Sequence, residues 1–393
     1  MSKGNLMNSY KRYPVTFVKG KGIYLYDENN EKYIDFVSGV AVNALGHCSP
    51  VVKKAIQEQS EKVMHISNYY YCNEAIDLSE LLCKDTCFDS VFFTNSGTES
   101  IEGAMKICRK HGNSQNTNKN KIISMKNSFH GRSLGALSIT GREVYKTPFY
   151  PMIPGVIEAE FNNLESLENA FNDDVCGVFI EPVQGEGGIN VATTEFLKKA
   201  RELCDKYNAF LVFDEIQCGA GRIGTYFCKD TFGVTPDVVC MAKGLGGGFP
   251  IGAIVTTGAA SKVITYGNHG TTYGGNPLAC AVSKAVTSTI KNEEFLKEVK
   301  EKGAYLKEKL SSLAEQYDFI TKVKGLGLLV GIEVSIAPSL ITNEAFKNKV
   351  LLITAGENVI RFLPPLNVTK KEIDLFIEKF AEVLKNVQLN LNK

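Results

Sequence analysis

An excess of charge of either sign is missing. The 393 residues carry 44 lysines and arginines against 43 aspartates and glutamates, a formal net charge of +1. No block of like charge stands out, so the clustered basic face that a nucleic-acid partner or an anionic membrane needs is absent. No apolar run is long enough to span a bilayer, and the N-terminal stretch MSKGNLMNSYKRYP lacks the apolar centre of a secretory leader. The expected location is cytoplasmic. Histidine is scarce, five in all, too few at suitable spacing for a metal centre, and no metal is expected. Eleven cysteines are present, an odd and scattered set that fits no disulfide framework. Cys83 and Cys87 are expected one helical turn apart, with no histidine pair to complete a zinc site. Cys218 lies close to the chemistry described below and is open to a redox role. Small buried hydrophobes is the reading adopted for all eleven.

What remains is an ordinary folded composition, 44% apolar and 22% charged, in a chain long enough for one large domain and a smaller one. Short strand-like pieces, Gly22 to Tyr26 and Lys32 to Phe36, precede a helix predicted near Val51 to Val63. From about residue 90, wholly apolar runs alternate with helix-sized amphipathic stretches such as Thr194 to Tyr207. The runs are Val91–Phe93, Ile122–Ile123, Val178–Ile180, Leu211–Phe213, Val238–Val239 and Ala253–Val255. This alternation predicts a large α/β domain with a mostly parallel sheet covered on both faces. After about residue 285 comes a second α/β texture: helix (Asn292 to Gln316), strands (Leu328 to Val334, Val359 to Leu363) and a closing helix. Thr369 and Glu372 signal a capping box for that last helix. The expected division is 51–284 for the large domain, with 1–50 and 285–393 forming the small one. Asn113 to Lys121 reads as a solvated loop.

The ends of the runs carry the chemistry, because ligands of open α/β sheets bind outside the carboxyl ends of the strands. Val91–Phe93 leads into Asn95-Ser96-Gly97-Thr98-Glu99, where Ser96 and Glu99 predict a second capping box and Gly97 allows close backbone approach. Such a helix start suits a phosphate, or is simply a cap. Leu211–Phe213 ends at Asp214-Glu215-Ile216-Gln217. There the aspartate is a metal ligand, a general base, a partner for a cationic heterocycle, or an ion-paired structural residue. Val238–Val239 leads to Lys243 and a glycine-rich turn. A lysine in such an apolar setting has a lowered pKa and can attack an aldehyde. A phosphate cradle, a buried acid and a Schiff-base lysine are together what pyridoxal phosphate requires.

Further stretches carry a resemblance: Ser38-Gly39-Val40-Ala41-Val42-Asn43-Ala44-Leu45-Gly46-His47, Phe129-His130-Gly131-Arg132, Glu181-Pro182-Val183-Gln184-Gly185-Glu186, Thr271 to Pro277 and Arg361 to Leu366. With the three sites above, they make the chain resemble the ornithine-type (class-III) pyridoxal-phosphate aminotransferases along essentially its whole length. The resemblance implies the fold-type-I architecture of pyridoxal-phosphate transferases, pyridoxal 5'-phosphate as cofactor, and a homodimer with shared active sites. It implies Gly97 and Thr98 on the phosphate, with Thr272 reaching over from the other subunit. Phe129 would stack on the ring, Asp214 would pair with its nitrogen, Gln217 would bond near its phenolic oxygen, and Lys243 would hold the aldehyde and then shuttle the proton. Arg361 would take the α-carboxylate of glutamate or 2-oxoglutarate, with Glu186 neutralising it when the other substrate is bound. Arg132 would hold the distal carboxylate, and Thr271 would line the same pocket. Gly39 stands where ornithine-specific members carry a tyrosine, which leaves room for an N-acyl group. The implied reaction is amino transfer from N2-acetylornithine to 2-oxoglutarate in arginine metabolism. Ornithine, succinylornithine and 4-aminobutyrate are alternative donors, and an aminomutase is a more distant alternative. The Tyr69–Tyr71 run is either a pocket wall or interface packing.

Overall fold

The computed structural model describes residues 4–392. Its centre is a seven-stranded sheet. From edge to edge the strands are Ser90–Thr94, Gly252–Thr256, Val238–Met241, Phe210–Asp214, Val175–Ile180, Lys121–Met125 and Val156–Ala159. Five neighbouring strands run parallel, and Gly252–Thr256 runs antiparallel to both of its neighbours. Apolar side chains alternate between two buried layers. Leu211 and Phe213 face one, Phe210 and Val212 the other, as a sheet covered on both sides demands. The helix Thr194–Tyr207 covers one face through Phe196, Leu197, Ala200, Leu203 and Cys204, with Thr193 capping its start. The helix Gly97–Gln115 lies across the other.

A second, antiparallel sheet joins Ile320–Leu326, Leu329–Val334, Val359–Phe362 and Ile353–Ala355 in that spatial order. The closing helix Lys370–Leu391 begins with the expected capping box of Thr369 and Glu372. N-terminal and C-terminal segments meet in a third sheet, where Lys32–Asp35 pairs in parallel with Val350–Leu351.

Several boundaries differ from the sequence reading. The first long helix is Pro50–Ser60 and stops before Val63. Residues 113–115 continue the helix Gly97–Gln115 where a loop was expected, and Lys119 in the same stretch is buried. Cys83 ends the helix Asn73–Cys83, which leaves Cys87 outside it. All eleven cysteines are free, but Cys48 and Cys87 are exposed and Cys72 and Cys83 half-buried, so burial does not describe the whole set. Ser96 caps its helix by accepting the Glu99 N–H, while the Glu99 carboxylate reaches past it to the Asn95 N–H at 2.7 Å. The reciprocal box is therefore replaced by a bond one residue further out.

One backbone feature has no sequence signal. Ser38, Gly39, Val40 and Ala41 all have φ between +50° and +64°, a turn of left-handed helix. Left-handed geometry costs about 1–2 kcal/mol per non-glycine residue. Val37 and Ser38 N–H groups on Asp35 Oδ1, and His47 Nε2 on Asp35 Oδ2 at 2.6 Å, hold the segment.

Candidate active site

A cavity of about 430 Å³ opens at the carboxyl ends of the central strands. The sequence-predicted Gly97, Thr98, Phe129, Arg132, Glu186, Asp214, Gln217 and Lys243 all line it. They arrive from the ends of five strands or the turns beyond them, with Gly97 and Thr98, Phe129 and Arg132, and Asp214 and Gln217 each sharing one, which is why residues 146 positions apart, from 97 to 243, share one space.

Asp214 is the last residue of Phe210–Asp214 and is buried. Its Oδ1 accepts the Ile216 N–H at 3.0 Å, and its Oδ2 accepts from His130 Nδ1 at 2.7 Å. Each oxygen keeps acceptor capacity for one more donor. His130 sat inside a recognised motif, yet only the structure gives it this role. Lys243 follows Val238–Met241 with φ +44°. It is partly open to the cavity, yet lies deep enough that lost hydration, and then the Arg361 guanidinium, lower its pKa. Its amine has no hydrogen-bonded partner among the described residues. An unpartnered amine on a cavity wall is chemically available.

Arg361, in Val359–Phe362 of the second sheet, is almost fully buried. It donates to Glu186 Oε1 at 2.7 Å and to Gln217 Oε1 at 2.9 Å. The Gln217 amide thus turns its oxygen to Arg361, and its buried Nε2 has no partner among the described residues. Such an orphan donor is costly unless a ligand oxygen meets it, and a phenolate fits. The residues present therefore fit pyridoxal phosphate: an anion-binding helix start, a buried acid, an unpaired amide donor and a free amine. The cationic face of Arg132 rests on the Tyr145 ring, 3.6 Å from its centroid, with the Phe129 ring 5.5 Å away. Nothing in the sequence pattern pointed to Tyr145. Glu181 was also missed as a site residue. It lines the cavity and accepts the Phe129 N–H at 3.0 Å, and burial, then the Asp214 carboxylate, push its pKa well up.

Thr271 and Thr272 stand apart. Thr271 Oγ1 touches the site through Asn95 Nδ2 at 3.1 Å, and Thr272 is exposed at the surface of its own chain. The Tyr69–Tyr71 run is exposed rather than in this cavity, beside the Thr271–Gly275 segment that Asn68 binds through two carbonyls.

Glu215, next to Asp214, points away into the core, and burial pushes its pKa to about 8. Its folded-state pKa lies above its unfolded value. The stability it contributes is therefore complete below about pH 4.5 and is lost as pH climbs through about 8. Glu215→Gln should gain on the wild type by up to about 1.4 kcal/mol per pH unit over that window. Denaturant unfolding at several pH values checks this, and a pH-independent difference would contradict it.

Comparison with known proteins agrees with the geometry. A family model for aminotransferase class-III matches residues 6–384. The acetylornithine aminotransferase of Clostridium acetobutylicum is 52% identical, covering 98% of this chain and all of that protein. The succinylornithine transaminase of Citrobacter koseri is 42% identical over 96% of this chain and 94% of its own. Among solved structures, N-acetylornithine aminotransferase from Stenotrophomonas maltophilia superimposes with a TM-score of 0.85 at 34% identity, over 96% of this chain and 98% of that one. Fold and site define a pyridoxal-phosphate-dependent transferase of amino groups. The chain belongs to the class-III aminotransferases. Among the described residues no helix is long and apolar enough to cross a membrane.

Proposed function

We propose that this enzyme exchanges an amino group between N2-acetylornithine and 2-oxoglutarate, giving N-acetylglutamate 5-semialdehyde and glutamate in the cytoplasm. The relatives named above for acetylornithine support the donor. The observation that carries the reading is the 2.7 Å pair between Glu186, on the cavity wall, and Arg361, buried behind it, because one site must accept a dicarboxylate in one half-reaction and a different donor in the other. When bound, the coenzyme supplies an aldehyde that carries the amino group and a ring that draws electrons from the reacting carbon.

The chain's own groups do the rest. Lys243 Nζ, its pKa lowered by burial, would take the proton from the substrate carbon and pass it to the coenzyme carbon that was the aldehyde. Asp214, held by His130 and the Ile216 N–H, would keep the ring nitrogen protonated. Main-chain N–H groups at Gly97 and Thr98 would receive the phosphate, the unpartnered Gln217 Nε2 would meet the phenolic oxygen, and Phe129 would stack on the ring. With Glu186 on Arg361, the arginine is neutralised and an uncharged part of the donor fits beside it. With Glu186 swung away, Arg361 takes the α-carboxylate in a two-point grip and Arg132 takes the distal one. Gly39, expected to leave room for an N-acyl group, lines a separate cavity with Asp35 and Asn43 rather than this one, so the donor rests on the relatives and not on that glycine.

Glu186→Ala should leave Arg361 without its counter-charge. The glutamate half-reaction should then gain on the acetylornithine half-reaction by about tenfold or more, the scale of one charge-assisted hydrogen bond. Single-turnover spectra with each donor measure the ratio, and an unchanged ratio would remove the gate. A panel of acetylornithine, succinylornithine, ornithine and 4-aminobutyrate tests the donor itself. Turnover without 2-oxoglutarate would favour an aminomutase.

Our reading also includes a homodimer. Thr272 and Tyr273 lie exposed next to Tyr69–Tyr71, a surface suited to a second copy of this chain, with Thr272 then completing the neighbour's phosphate site. The division into 51–284 and the small domain of 1–50 with 285–393 belongs to the same reading, supported by the pairing of Lys32–Asp35 with Val350–Leu351.

A further inference from the structure

We propose that the Thr98 hydroxyl does not grip the coenzyme phosphate, and that Ser133 and Glu102 are positioning residues tying the phosphate cradle to the turn that carries Phe129 and Arg132. Glu102 Oε1 accepts the Ser133 hydroxyl at 2.5 Å and the Ala136 N–H at 3.2 Å. A serine hydroxyl has one hydrogen, and Ser133 has committed it to Glu102. The 2.8 Å contact between Thr98 Oγ1 and Ser133 Oγ therefore runs in one direction, with Thr98 as donor. Thr98 Oγ1 in turn accepts the Ser133 N–H at 3.4 Å. A phosphate dianion offers acceptors only, so a hydroxyl whose hydrogen is already engaged has nothing to give it. The main-chain N–H groups of Gly97 and Thr98 belong to the orphan donors of a helix start and stay available.

Two observations fit a built brace. Ser133 stands at the N-cap of the helix Leu134–Ser138 yet makes no side-chain cap bond; its hydroxyl serves Glu102 instead. Gly131 has φ +139°, and a Cβ there would come within 2.3 Å of Thr98 Oγ1. Glycine is what allows the Phe129–Arg132 turn to approach the hydroxyl this closely. The chain Glu102–Ser133–Thr98 thus fixes the distance between the phosphate end of the site and the arginine proposed for the distal carboxylate.

The inference rests on the proposed phosphate site at Gly97 and Thr98, and the test separates the two. Full-length protein stripped of coenzyme is titrated with pyridoxal phosphate and followed by absorbance, and KM and kcat for 2-oxoglutarate are measured on the reloaded enzyme. Gly97→Pro deletes one N–H at the first helix position; because a Cβ there would come within 2.8 Å of Ile216 Cδ1, it is made together with Ile216→Val, and should weaken coenzyme binding at least about tenfold relative to Ile216→Val alone. Thr98→Val should change it less than about threefold. Thr98→Val and Ser133→Ala should both raise KM for 2-oxoglutarate several-fold with a smaller change in kcat, and Ser133→Thr should restore it. Coenzyme affinity falling as far in Thr98→Val as in Gly97→Pro would overturn the assignment, and so would an unchanged KM in Ser133→Ala. Unchanged affinity in Gly97→Pro would remove the phosphate site itself, and the brace with it.

Discussion

Lys243→Ala is expected to abolish the absorbance of covalently held coenzyme and to lower turnover by more than about 10⁴-fold. Two losses combine. The coenzyme no longer has an amine to attach to, and the substrate carbon no longer has a base. Positioned proton transfer alone contributes about 10²–10⁴-fold. No neighbour can substitute. Arg361 is occupied by Glu186 and Gln217, and His130 Nδ1 faces Asp214. Absorbance spectra of the purified variant and stopped-flow mixing with donor provide the check. An addition of a small primary amine should restore part of the proton transfer but not the covalent attachment. Substantial residual turnover without such an amine would contradict the assigned role.

Asp214→Asn should be the next most damaging change, by about 10²- to 10³-fold in turnover, the scale of removing one preorganised charge-stabilising group. The substitution preserves shape but removes the charge on which ring-nitrogen protonation depends. It also disturbs His130, whose Nδ1 has Asp214 Oδ2 as its acceptor at 2.7 Å; rotating the amide to keep that bond turns its NH₂ towards the Ile216 N–H now received by Oδ1. Coenzyme binding should weaken less than turnover falls, which separates a chemical role from a holding role. Equal losses in both would assign Asp214 to binding alone.

How far these sites were legible depends on how local each signal is. Asp214 ends an apolar strand, and Lys243 and Gly97 lie in the turns just beyond theirs; strand ends are readable from one stretch of chain. Six strands of the central sheet were legible for the same reason, because runs such as Leu211–Phe213 are apolar on both faces; the seventh, the edge strand Val156–Ala159, was missed because it is only half-buried and carries the exposed Glu158. Tyr145 and Glu102 carried no such mark. Tyr145 reaches Arg132 from a four-residue helix, Glu143–Lys146, with no buried residue, and Glu102 looks like any polar residue on an amphipathic helix. Their roles exist only as contacts across the fold. The left-handed turn at Ser38–Ala41 was invisible for another reason. Val40 and Ala41 have no preference for φ near +64°, so tertiary contacts, chiefly Asp35 with the Val37 and Ser38 N–H groups, impose it. The expected capping box at Ser96 failed because Glu99 found a better acceptor role at Asn95.

The Glu186 main-chain carbonyl accepts the Gly356 N–H at 2.7 Å, from the turn before Val359–Phe362. Backbone and arginine strand are thus riveted together while the carboxylate alone stays free to swivel. Changing substrates then asks one side chain to turn and one ion pair to open, not a loop excursion. Selectivity of this kind needs no segment of backbone to move.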